Sequence, residues 1–265
     1  GYNEAIHAKA VSEHLGTEHT ELYVAPEQAL AVIPDLPTLF DEPFSDSSQI
    51  PTFLISRLAK QHVTVSLSGD AGDELFCGYS RYKQVARIWG VLSRLPRFLK
   101  ICIEKSIRSI SIDGWNGVVR PVHSVLPPDS RNFGDKAYKL AGLLSSPDFV
   151  RFYERFVSHW SESQDIVLGV QEPINCFSGF EDGAVFANPF ELMMLADSVA
   201  YLPDDILVKV DRAAMGVSLE TRVPFLDHRI FEFAWQLPLD LKFRDGRGKW
   251  ILRQLLYRHV PKELV

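Results

Sequence analysis

Asp70, Asp73 and Glu74 crowd into the stretch Ser68-Gly69-Asp70-Ala71-Gly72-Asp73-Glu74-Leu75-Phe76-Cys77-Gly78-Tyr79, which also holds three glycines. On a helix beginning near Ala71, spacings of three and four bring such carboxylates onto one face. Clustered oxygen anions suit a hard cation such as Mg²⁺ carrying a polyphosphate, and glycines let backbone N–H groups approach a phosphate closely. The same residues also read as a helix cap, with Asp70 at the N-cap, Asp73 in the first turn and the helix dipole favouring both. The residue types alone leave both readings open.

A second set of charges lies far along the chain. Asp205, Lys209, Arg212 and Gly216 fall on one stripe of a helix expected from Pro203 to about Leu219, whose other residues are mostly apolar: Ile206, Leu207, Val210, Ala213, Ala214, Met215 and Val217. Charges in such surroundings are costly unless they are paired or functional. They form either a self-contained Asp205–Lys209–Arg212 ladder or cations that reach a bound polyphosphate, with Gly216 leaving room for close packing. Arg81, Lys83 and Arg87 either attract an anion or form a solvated face, and Asp41 and Glu42 either face a site or sit on an exposed loop. Arg222 reads as an anchor through bidentate hydrogen bonds, and Asp227 as the N-cap of a helix starting near His228.

These groups need elements to hold them. The β-branched run 63–67 reads as a strand feeding directly into the Ser68–Tyr79 turn and helix, the place where open α/β sheets bind ligands. Before it come a helix over 3–15, an alternating strand over His19–Val24, and helices over 27–33 and 51–60 with caps offered by 46–48. Alternating strands and helices point to a parallel sheet. Residues 81–188 read as a mainly helical insertion: a stretch over 81–112 broken at Pro96, loop residues over 106–128 around Trp115, two helices over 135–160 divided near Pro147, and a connection over 171–188. The last portion, 189–265, contributes the charged helix, an extended turn over 220–227 and a final helix over 249–259 that ends before Pro261.

The bulk properties narrow the function classes. A chain of 265 residues with 46% hydrophobic content buries a sizeable core. Lys and Arg number 28 against 34 Asp and Glu, a net charge of −6 that is dispersed along the chain and argues against a nucleic-acid-binding surface. Cys77, Cys102 and Cys176 are widely spaced and show neither a disulfide framework nor a zinc pattern, which makes a reducing cytoplasm the expected compartment. No apolar run approaches the roughly 18 residues that span a bilayer.

Taken together, the motifs resemble the synthetase domain of glutamine-hydrolysing asparagine synthetases. The resemblance rests on Ser68-Gly-Asp-x-x-Asp-Glu-Leu-Phe-x-Gly-Tyr79, on Tyr201-Leu-Pro-Asp-Asp-Ile-Leu-x-Lys-x-Asp-Arg-x-x-Met215, on Glu220-x-Arg-Val-Pro-Phe-Leu-Asp227 and on Lys249-x-x-Leu-Arg253, in that order over nearly the whole chain. It favours the ligand reading of residues 70–74 over the cap. It implies an α/β fold, an incomplete doubly wound parallel sheet of the adenine-nucleotide alpha hydrolase-like (ATP pyrophosphatase) type with a large helical portion. Residues 1–80 would supply part of the α/β core, 81–188 the mainly helical region and 189–265 the helices completing the active site.

The resemblance further implies ATP and Mg²⁺ as cofactors, and L-aspartate and ammonia from glutamine as substrates, with no nucleic acid and no membrane; it allows a homo-oligomer. By position, Ser68 and Gly69 would contact the nucleotide. Asp70 would lie beside the acyl-adenylate, favouring its formation or taking a proton from ammonia, and Asp73 would hold Mg²⁺ on the pyrophosphate. The role of stabilising the pyrophosphate falls to Lys209 or Arg212; some family members carry lysine where Arg212 stands. The family's Ser-Gly-Gly-x-Asp-Ser loop and its glutaminase half, with a nucleophilic terminal cysteine, are expected before Gly1, so this segment alone is expected to have little ATP pyrophosphatase activity. Related domains close β-lactam rings, cyclise peptides or amidate other carboxylates, and a nucleotide-binding domain without catalysis is a further alternative.

Overall fold

A computed structural model describes residues 4–120, 132–158, 177 and 188–265. In chain order, helices α1 (Glu4–Leu15), α2 (Pro26–Leu30), α3 (Leu36–Phe40) and α4 (Gln49–Lys60) precede strand β1 (Val65–Leu67) and a one-turn helix, α5 (Gly72–Leu75). Helices α6 (Ser80–Leu92), α7 (Arg97–Arg108), α8 (Ile112–Val119), α9 (Phe133–Leu144), α10 (Phe149–Val157) and α11 (Pro189–Val199) follow. A π-helical turn, Leu202–Leu207, leads into α12 (Val208–Met215), then β2 (Glu220–Arg222), α13 (His228–Gln236), α14 (Leu239–Lys242) and α15 (Trp250–Leu256). The chain divides into two compact units, one made of Gly1–Tyr79 with Met194–Val265 and the other of Ser80–Met193.

In the first unit, β1 and β2 pair in parallel with Val65 opposite Glu220, Ser66 opposite Thr221 and Leu67 opposite Arg222. The ladder runs on at both ends, where Glu220 N–H donates to Thr64 C=O (3.1 Å) and Ser68 N–H donates to Arg222 C=O (2.9 Å). Parallel pairing and a large helical portion are therefore present. A wide, doubly wound sheet is not formed by the described residues, whose sheet has two strands. The strand expected over His19–Val24 is a correction: these residues enter no ladder, and Leu22, Tyr23 and Val24 are exposed. Alternation marks a chain that can pair, but a strand exists only where a neighbour accepts and donates its backbone hydrogen bonds. Residues 220–222, expected as part of an extended turn, are a strand for the same reason.

Two apolar clusters frame this unit. Ala71, Leu75, Phe76, Leu202 and Ala234 form one, with Phe225, Trp235 and Ile251 packed against it, and it fixes α5. Val32, Phe53, Leu54 and Ala213 form the other, between α4 and α12. Gly216 lies so close to α3 that a Cβ there would stand 2.2 Å from Leu39 Cδ2, which accounts for a glycine on the charged stripe. Met215, expected among the buried residues, is instead 55% exposed, because α12 presents Asp211, Arg212 and Met215 on one open face.

The second unit is helical. Trp89 of α6 meets Phe149 and Phe152 of α10 at ring-centroid distances of 5.6 and 5.2 Å, and α9 packs on α7 and α8. The loop expected over 106–128 is a second correction within the described residues, since α8 occupies Ile112–Val119 and Ser111 Oγ caps it by accepting from Gly114 N–H at 3.1 Å; residues 121–128 of that expectation lie outside the described residues. Gly114 and Gly117 lower the helix propensity there and made the segment look like a loop. Lys83 and Arg87 are exposed, a solvated face. The connection expected over 171–188 lies almost wholly outside the described residues.

Candidate active site

The chain leaves the carboxyl end of β1 through Ser68 and Gly69 and turns at Ala71, whose φ of 64° is left-handed, before α5 begins at Gly72. A buried alanine in that conformation is strained, and the packing of Ala71, Leu75 and Phe76 holds it. Asp70 does not cap α5. Its Oδ2 accepts from Ser68 Oγ at 2.7 Å, which closes the turn on itself. Around Gly69 there is open space among the described residues: a Cβ built there has none of them within 4 Å, so none of them requires a glycine at that position.

The three acids do not converge; they have three separate surroundings, which corrects the expectation of a shared helical face. Asp73 receives the ammonium of Lys249, Nζ to Oδ2 at 2.9 Å. Glu74 points into the interior, where Tyr79 OH donates to its Oε1 at 2.7 Å. Burial pushes the Glu74 carboxyl up and outweighs the opposing Tyr79 hydrogen bond. Burial likewise raises the Tyr79 hydroxyl, and Glu74 adds to the effect. Among the described residues no group of three His, Cys, Asp or Glu side chains could hold a metal ion. Mg²⁺ in complex with a polyphosphate needs only one or two carboxylates, and Asp73, which already carries a cationic partner, fits that modest requirement.

Lys209 and Arg212 both turn to the loop between α3 and α4. Lys209 Nζ bonds Asp46 Oδ2, and Arg212 Nη1 donates to Asp41 Oδ2 at 2.7 Å. The stripe is thus linked across elements rather than closed as a ladder of its own. The two pairs differ in kind. Lys209 is buried, and Asp46 is gripped on its other oxygen by Ser48 N–H and Oγ, each at 2.7 Å. Burial pushes the Asp46 carboxyl up, but the hydrogen bonds from Lys209 and Ser48 prevail and bring it down to about 2. Arg212 and Asp41 are both exposed, and such pairs contribute about 0–1 kcal/mol and exchange partners readily.

Arg222 is not the bidentate anchor expected of it: on the open surface its Nε donates to Glu220 Oε1 at 2.7 Å, and the anchoring comes from its carbonyl, which holds Ser68 N–H. Asp227 caps α13 as expected, Oδ1 accepting from Arg229 N–H at 2.9 Å. Of the two alternatives for Asp41, a residue facing a site or one on an exposed loop, the structure shows an exposed residue that nonetheless pairs with Arg212. Lys249 and Asp46 take part in the site although the sequence offers only a motif for the first and a helix cap for the second.

The Asparagine synthase family profile matches residues 1–265, the whole chain. This chain belongs to the asparagine synthase family. It is 28% identical over 265 residues to Asparagine synthetase [glutamine-hydrolyzing] 1 of Bacillus subtilis, covering 100% of this chain and 39% of that protein. To Asparagine synthetase [glutamine-hydrolyzing] 3 of the same organism it is 25% identical over 268 residues, 96% of this chain and 34% of that protein. A Mycobacterium bovis relative is 30% identical over 265 residues, all of this chain and 38% of its own length. The chain therefore spans less than two-fifths of the relatives it matches. Members of the family use ATP, which agrees with a turn of the Ser68–Ala71 kind at the end of a parallel strand. No helix among the described residues is long and apolar enough to cross a membrane.

Proposed function

We propose that the protein containing this chain converts L-aspartate to asparagine, using ATP and ammonia derived from glutamine. The observation that carries the reading is the Ser68–Gly69–Asp70 turn, open at Gly69 and followed one helical turn later by Asp73, in a member of this family. On this reading the fold extends to the doubly wound sheet of ATP pyrophosphatases. An aspartate side-chain oxygen attacks the α-phosphorus of ATP, the bond to pyrophosphate breaks, and ammonia then attacks the acyl carbon and displaces AMP. Ser68 and Gly69 line the nucleotide, and Asp70 sits beside the reacting carboxylate and accepts the proton that ammonia loses.

Asp73 would hold Mg²⁺, which when bound offsets charge on the phosphates. Charge growing on the leaving pyrophosphate calls for cations fixed in advance. Arg212 suits contact with that anion, because its exposed bond to Asp41 is exchanged cheaply. Lys209, buried against Asp46, adds fixed positive charge from behind.

The test is ATP–pyrophosphate exchange by the full-length protein, with and without L-aspartate. Aspartate-dependent exchange that disappears in Asp73→Asn supports the reading. Exchange driven by a different carboxylic acid would move the protein to a related amidating or cyclising activity, and ATP binding without exchange to a non-catalytic role.

A further inference from the structure

Helix α7 turns an unusual mixture to solvent. At the pitch of an α-helix Arg97, Arg108, Ile101, Lys105 and Phe98 fall, in that order, within an arc of about 100°. Phe98 is 68% exposed and Ile101 42%, and Arg97, Lys105 and Arg108 are exposed beside them. Half-buried Ile103 and Ile107 lie on the opposite side, and α9 packs on the helix. A helix that has buried one apolar side against its neighbour gains nothing in water from apolar groups on the other. Just ahead of it in the chain, Val91, 58% exposed, and exposed Arg94 continue the same mixture. Arg97 and Lys100 also line a groove of about 430 Å³ with Leu95, Ile101, Leu144 and Pro147, and no carboxylate pairs with either cation among the described residues. Glu104, the acid in that lining, is answered by Arg108 at 3.1 Å.

Charge decides what such a face would meet. The net charge of −6 is not dispersed as expected: residues 80–120 hold nine Lys and Arg against two acids, Glu104 and Asp113, a charge of +7 that leaves −13 for the rest of the chain. That stretch attracts polyanions. Nucleic acid would use the cations but not the apolar side chains between them, whereas an anionic lipid surface uses both, offering phosphates to the cations and a headgroup–acyl boundary to the apolar groups. We propose that the exposed side of α7 docks on a membrane surface rich in anionic phospholipid, with Phe98 and Ile101 entering the boundary and Arg97, Lys105 and Arg108 bound to lipid phosphates. The contact is peripheral, since no helix among the described residues is long and apolar enough to cross a membrane. It departs from the absence of a membrane partner that the family resemblance implies, and it does not depend on which carboxylate the active site amidates.

The test is flotation of the full-length protein with vesicles of phosphatidylcholine alone and of phosphatidylcholine mixed equally with phosphatidylglycerol. Binding to the mixed vesicles, weakened by added salt and absent with phosphatidylcholine alone, is the expected result. Arg97→Gln and Lys105→Gln should each weaken it about fivefold, the scale of one cation at an anionic surface. Phe98→Ser combined with Ile101→Ser should weaken it at least about tenfold through lost apolar burial. Lys9→Gln combined with Arg258→Gln, which removes two exposed cations of the first unit, should leave binding within about twofold. All these side chains are exposed, so thermal midpoints should stay at the wild-type value and keep the readings free of unfolding. No binding to the mixed vesicles overturns the proposal, as does an equal loss in the first-unit control, which would report total charge rather than this face. Loss in the charge variants with none in the Phe98→Ser, Ile101→Ser protein would mark a site for a wholly polar polyanion and overturns it too.

Discussion

Three glycines of the site give a graded test of its geometry by the same perturbation, addition of one methyl group. At Gly69 the new Cβ meets nothing within 4 Å; at Gly78 it lies 2.0 Å from Asp73 Oδ1 and 2.4 Å from Lys249 Cε; at Gly248 it lies 2.0 Å from the backbone oxygen of Cys77. Gly69→Ala should leave stability unchanged or raise it by about 0.4–1 kcal/mol through a stiffer unfolded chain. Gly78→Ala presses on two side-chain atoms that can move away, so it should cost about 1–2 kcal/mol and break the Asp73–Lys249 pair. Gly248→Ala presses on a carbonyl whose residue is already left-handed and cannot yield alone, so it belongs at the top of the overpacking range, about 3 kcal/mol. Urea unfolding of the three variants, read as midpoint shifts at constant slope, gives the order directly. In the exchange assay Gly69→Ala should lose activity while keeping its stability, since the described residues leave the space beside it open and the nucleotide is proposed to enter it. A Gly78→Ala protein as stable as Gly69→Ala would refute the interlock of α5 with the residues before α15. A Gly69→Ala protein with full activity would refute the nucleotide's approach at the Ser68 turn.

Asp46→Asn should destabilise the protein by about 2–3 kcal/mol at pH 7 by stripping a buried lysine of its charged partner. Because the Asp46 carboxyl is lowered from an ordinary 3.8 to about 2, its stabilisation is present above about pH 4 and is lost as pH falls through 2, so thermal unfolding of variant and wild type should converge across that window; a gap constant to pH 2 would contradict the ion pair. Tyr79→Phe removes the donor to a buried carboxylate and should cost about 1–3 kcal/mol. Glu74→Gln should cost less at pH 7, because burial raises the Glu74 carboxyl and the stability that comes from its neutral form declines as pH rises through the folded value; equal losses in chemical denaturation would argue against this. Iodoacetamide on the native protein, followed by peptide mapping, should label exposed Cys102 well before Cys77, whose thiol burial pushes up to about 12; the reverse order would contradict its burial.

Much of this was legible in the sequence where the signal is local. The strand-turn-helix order around Ser68, the helix breaks near Pro96 and Pro147, the Asp227 cap and the close packing at Gly216 each follow from neighbouring residues. Apart from α8, where Gly114 and Gly117 mask a helix locally, the errors at 19–24, 220–222 and 70–74 share a physical cause in tertiary pairing. Residues 19–24 have the alternation of a strand and no ladder, whereas 220–222 have a ladder because β1 lies beside them. Spacing brought Asp70, Asp73 and Glu74 onto one helical face, but α5 is a single turn, so each acid finds a different partner. Those partners are remote: Lys249 is 176 residues from Asp73, Lys209 is 163 from Asp46 and Arg212 is 171 from Asp41. No periodicity in a short window can announce a contact over such separations. Only recognition of several long motifs together suggested that the two ends of the chain meet.

Backbone strain identifies the same region without reference to charge. The non-glycine residues with positive φ among the described ones are Asp41, Ala71, Cys77, Ser218, Asp245 and Lys249. Asp41 holds Arg212, Ala71 turns the chain between Asp70 and α5, and Cys77 and Lys249 face each other across the contact that brings the ammonium to Asp73. Each such residue costs of order 1–3 kcal/mol and persists only where its surroundings over-determine it. Four of the six therefore lie beside the groups assigned to chemistry, in a chain whose regular elements mostly follow their local propensities. Strain gathered around one set of charged groups is better explained by a site whose geometry is fixed before the ligand arrives than by folding alone, which would have been served more cheaply by glycine at positions 71, 77 and 249.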